Sequence, residues 1–141
     1  MGDILSIRVM AQTLNEDDVL AAWPELCSLV WPEWTAGRKL RSKGVERLMG
    51  PVLGPGPVEK FLGGRKHGVV ELASDLVDLL KFGELPAAIK ESLIVPVGPV
   101  DSARLALAKA LGDWAVQDAN AATNALEKAL DAAEKALEKA V

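Results

Sequence analysis

The chain has 141 residues, 50% hydrophobic and 26% charged, with a net charge of −4; that is the balance of one globular domain with its own core, not of a disordered chain. A single cysteine, Cys27, excludes an internal disulfide, and with a single histidine, His67, it excludes a four-ligand zinc site from one copy, so no metal or cofactor is expected. Charge is segregated: residues 1–36 hold six acids and one base, residues 37–67 eight bases and two acids, and residues 68–141 twelve acids and seven bases.

Residues 4–10 alternate, with Leu5, Ile7 and Val9 on one side and Ser6 and Arg8 on the other, which predicts a half-buried strand. The first ten residues lack a basic stretch followed by a long apolar one, and no uncharged apolar run nears the ~20 residues of a membrane span. A cytoplasmic protein is expected. Thr13 and Glu16 have capping-box spacing, with Asp17 and Asp18 in the turn that follows, so a helix is predicted from Asn15 onward.

The stretch WPELCSLVWPEW, residues 23–34, holds three of the four tryptophans and repeats Trp-Pro-Glu at an offset of eight. Helical spacing persists through both prolines. At ~100° per residue, Trp23 and Trp34 fall ~20° apart and Trp31 ~80° from Trp23, so all three share one stripe. Proline is tolerated at a first helical position. Each Trp-Pro-Glu therefore reads as a helix start, and the pair as two bends in a helical path that keeps one face on the core.

Arg38, Lys39, Arg41, Lys43 and Arg47 follow directly, beside Trp31 and Trp34. Basic side chains next to aromatic ones suit phosphates and bases, an anionic surface, or an acidic protein partner. GPVLGPGP, residues 50–57, is a loop by its prolines and glycines. Arg65, Lys66 and His67 lie among glycines just before a predicted helix, where backbone N–H groups could seat a phosphate, although no Walker pattern is present. That helix runs from Val69, with Leu72, Leu76, Leu79 and Leu80 on its apolar side and Gly83 past its end. Glu71, Asp75 and Asp78 share its opposite face, which reads as a solvated acidic surface rather than a cation site. Pro86 opens a short helix, and residues 93–97 read as a brief edge strand that could pair with residues 4–10 within the chain or equally between chains.

Asp101 is a good N-cap for the last segment. Residues 102–141 contain no proline and only Gly112 as a weak point. Leu105, Leu111 and Trp114 begin an apolar face that Leu126, Leu130, Ala133 and Leu137 continue. A helix of ~40 residues would be ~60 Å long, against a diameter of ~37 Å for a compact chain of this size. Either it breaks, at Gly112 or within residues 120–124, or it projects and pairs with a second copy.

The expectation is a mostly α, formally α+β fold: a helical domain (residues 1–100) with one two-stranded β element, and an Ala/Leu-rich helix or hairpin (residues 101–141) as the association element. A Cys27–His67 dyad would need an exposed thiol, but Cys27 sits mid-stripe, where a buried inert thiol is usual. No catalytic residue is assigned. The expected function is a non-enzymatic interaction or assembly protein, a homodimer through Leu126, Leu130, Ala133 and Leu137 or a subunit of a larger complex. The alternative is a small RNA-, DNA- or phosphate-binding module using residues 38–67.

Overall fold

Asn15 accepts the Asp17 N–H through its side chain at 3.0 Å and opens α1, Glu16–Ala22, whose first turn carries three acids. The computed structural model describes residues 13, 15–38, 42–50 and 66–141, and 81% of these are helical. At Trp23 the backbone leaves the helical region (φ −132°, ψ 62°), and Pro24 restarts it as α2, Pro24–Val30. Eight residues on, Trp31 adopts nearly the same angles (φ −125°, ψ 65°) and Pro32 opens α3, Pro32–Gly37. Proline costs little there because a first helical N–H has no intrahelical acceptor. Hydrogen bonds span both bends. The N–H groups of Trp23, Cys27, Trp31 and Thr35 donate to the carbonyls of Val19, Trp23, Cys27 and Trp31 at 2.8–3.1 Å. The repeat is thus a pair of equivalent bends, and Val19, Leu20, Trp23, Leu26, Cys27, Leu29 and Trp31 are all buried along the path.

Ser42 caps the Val45 N–H at 3.3 Å to start α4, Lys43–Met49, while its own N–H donates to the buried Ser28 hydroxyl of α2 at 2.7 Å. Gly50, at φ 89°, ends α4 in a conformation that favours glycine. Three further helices follow the next described stretch: α5, Val69–Phe82; α6, Ala87–Leu93; and α7, Val97–Gly112. The last is α8, Val116–Ala140.

The two-stranded element is not supported. Residues 4–10 lie outside the described residues, and residues 93–97 are the end of α6, a turn and the start of α7. Two of those residues, Ile94 and Val95, are 59% and 77% exposed, which is not how a half-buried strand behaves. Pro96 and Pro99 do not prevent helix here, because they fall at the N-cap and in the first turn of α7. Asp101, predicted as the N-cap, instead lies inside α7 and pairs with Arg104 at 2.6 Å and Lys81 at 3.9 Å.

The final segment breaks into a hairpin. The Ala115 N–H reaches the Ala110 carbonyl at 2.8 Å and the Trp114 N–H the Leu111 carbonyl at 3.3 Å. These are the two bonds of a Schellman helix end, with Trp114 in the left-handed position at φ 59°. The buried face of α7 is Val97, Val100, Ala103, Leu107 and Ala110, so Leu105, ~200° round from Leu107, is 56% exposed. It does not share a face with Leu126 and Leu130 as expected. Helix α8 packs chiefly on α7 and also on α6, α2 and α5, while α2 touches α1, α3, α4, α5 and α8. Residues on both sides of position 100 therefore share one hydrophobic core, and α7 itself crosses that boundary.

Candidate functional site

The predicted phosphate seat at the start of α5 is taken by the chain's own side chains. Thr13 Oγ1 accepts the Val69 N–H at 2.8 Å, and the Glu16 carboxylate accepts the His67 N–H. The two capping-box residues thus serve α5, more than fifty residues away. A Cβ on Gly68 would lie 2.5 Å from Thr13 Oγ1, so glycine is what lets the hydroxyl in. A carboxylate of the chain itself therefore sits beside the positive end of α5. His67 is buried. Its ring stacks on Trp34 at 4.4 Å and meets the edge of Trp31 at 4.7 Å, and its Nδ1 lies 3.7 Å from Glu16 Oε2.

The basic segment is partly used internally. Arg38 lies 4.5 Å over the Trp34 ring and 3.3 Å from Asp17. Lys43 and Arg47 are exposed on α4, and Lys66 is exposed ahead of α5. Lys39, Arg41 and Arg65 lie outside the described residues. Asp75, read as part of a solvated acidic face, accepts the Trp31 indole N–H at 2.7 Å. Among the described residues no group of three acids, cysteines or histidines is placed to hold a metal ion.

The expected association seam is interior. Leu126, Leu130, Ala133 and Leu137 are each 0% exposed, covered by the chain's own helices. No helix is long and apolar enough to cross a membrane among the described residues. Cys27 is fully buried, and burial, with the nearby Glu134, pushes its thiol up to about 12. It is an inert core thiol, because the reactive species is the thiolate.

What remains open is a cleft of about 530 Å³ where α1, the start of α5, α7 and α8 meet. Its floor is apolar: Val19, Ala22, Trp23, Val70, Leu107 and Leu126. Its lip carries four carboxylates, Asp18, Glu71, Glu127 and Asp131, and no basic residue lines it among the described residues. Asp131 is held in place by the Trp23 indole N–H at 2.8 Å. None of the four forms an ion pair among the described residues. Sequence reasoning missed this site, because its walls come from four separate stretches of chain. One trace was legible: Glu127 and Asp131 are four apart, and so lie on one helix face.

Comparisons with protein families, with curated proteins and with solved structures each returned no match.

Proposed function

We propose that this chain is a non-enzymatic interaction protein whose receiving surface is the acid-lipped cleft, and that its ligand is a cationic, amphipathic segment of a partner. The carrying observation is the combination of an apolar floor with four carboxylates that form no ion pair among the described residues. An apolar floor rewards burial of aliphatic carbon, and an acidic lip rewards ammonium or guanidinium groups. The volume falls in the range of ordinary ligand sites. A dimer through Leu126, Leu130, Ala133 and Leu137 is not part of this reading, since those side chains are already covered.

The test is a pair of labelled peptides, one alternating leucine with lysine and one alternating leucine with glutamate, titrated with the full chain by fluorescence anisotropy. The lysine peptide should bind, more weakly as salt rises, and Glu127→Gln with Asp131→Asn should weaken it about tenfold. Equal binding of both peptides, or of neither, would sink the proposal. Tight, salt-sensitive capture of a single-stranded oligonucleotide, lost on replacing Lys43 and Arg47 with alanine, would favour the nucleic-acid alternative instead.

A further inference from the structure

A second hollow of about 250 Å³ lies at the turn between α7 and α8, bordered by Leu111, Trp114, Val116 and Ala119. It shares Leu107 and Thr123 with the acidic cleft, so the two adjoin along α8. On α8 the lining residues Asp131, Glu127, Thr123, Asn120 and Val116 recur every three or four positions and form one stripe. From Asp131 to Val116 that stripe is about 22 Å long, the length of a helix of about four turns. It is polar in the sense of having two unlike ends. One end carries the carboxylates; the other carries Trp114 and Val116, 58% and 70% exposed.

Trp114 is a notable occupant of its position. It is the one non-glycine residue with positive φ among the described residues, at a helix end where glycine is the residue without steric cost. A large indole held out to solvent in a strained conformation is the signature of a residue kept for contact rather than for stability.

We infer that the groove accepts a partner's amphipathic helix of about four turns, its basic end over Glu127 and Asp131 and its apolar end against Trp114. This rests on the proposed function and adds to it the form, length and orientation of the ligand. Helix-in-groove docking reads apolar anchors at three- and four-residue spacing, which the α7–α8 floor can receive. Among the residues lining the two hollows the charge is at one end only, so the occupant is charged at one end only.

The four indole N–H signals of the chain make the test direct. The probe is a synthetic helical peptide of about four turns, with leucine at three- and four-residue spacing and lysines confined to one end, carrying a nitroxide at either end. In 1H–15N spectra, a nitroxide at the lysine end should broaden the Trp23 indole signal and spare that of Trp114. A nitroxide at the leucine end should do the reverse. Trp114→Ala should weaken binding about tenfold with its salt dependence unchanged, whereas Asp131→Asn should weaken it and flatten that dependence. If the peptide binds and responds to Asp131→Asn, but ignores Trp114→Ala and binds equally well at half length, the groove inference fails and the cleft reading survives. If no cationic peptide binds, both fail. If Trp114→Ala instead abolishes a concentration-dependent dimer of the chain, the groove belongs to a second copy and the inference is overturned.

Discussion

Glu134 shows how far a single side chain can act in this fold. It is 5% exposed on α8, and its carboxylate accepts the N–H groups of Glu25 and Leu26 at 3.1 and 2.9 Å. It therefore caps α2, whose own N-cap, Trp23, offers no side-chain hydrogen bond. Burial pushes its carboxyl up to about 7; the two N–H bonds oppose this, and the neighbouring Glu25 and Glu138 add to it. A carboxyl with a raised pKa binds its proton more tightly folded than unfolded. Its contribution is fully present below pH 4.5, the ordinary value, and is lost as pH rises through about 7. The chain should lose about 3 kcal/mol of stability across that window, an order-of-magnitude figure. Urea denaturation at pH values spanning it should show the decline, and Glu134→Gln should remove most of it, since glutamine can still accept one N–H. A wild-type stability that is flat or rises with pH would contradict this. Nothing in the sequence near residue 134 announces the role. Its partners are more than a hundred positions away, as are those of Trp23 on Asp131.

At the scale of elements, local chemistry was a good guide to where helices begin. Asn15 and both Trp-Pro-Glu steps start helices as predicted, because a cap or a proline acts on its own turn and needs no distant partner. It was a poor guide where a short apolar run admits two periods, as at residues 93–97. The α7–α8 turn sets stability against display. Replacing Trp114 with glycine should relieve left-handed strain and raise stability by about 1 kcal/mol, while removing the apolar end of the groove. A thermal melt that rises together with loss of peptide binding would confirm the trade. A fall in melting temperature would mean that the indole's contacts with the hollow outweigh its backbone strain.

For the whole molecule, the decisive fact is that α8 lies within the common core and does not project from it. A helix of about forty residues is too long to lie unbroken on a domain of this size. Its thin alanine stripe favoured a partner helix, but the segment folds back into the chain's own core. Three residues, Asp113 to Ala115, turn it back on itself. Leu130→Ala should therefore cost about 2–5 kcal/mol through a cavity in the chain's own core. That loss should be the same at every protein concentration. A cost that vanishes on dilution would return the seam to an intermolecular role.

Composition, spacing and caps were enough to establish a mostly helical chain, the two tryptophan bends and the long apolar face of α5. Each of these depends on neighbours within a turn or two, where geometry is regular and can be counted along the chain. Which carboxylate caps which helix, that His67 lies among tryptophans instead of facing a phosphate, and that an acidic cleft opens beside α8 all depend on contacts between distant stretches. Those contacts follow from how the helices pack. Packing answers to shape and burial summed over the whole core, a quantity that no local pattern of residues encodes.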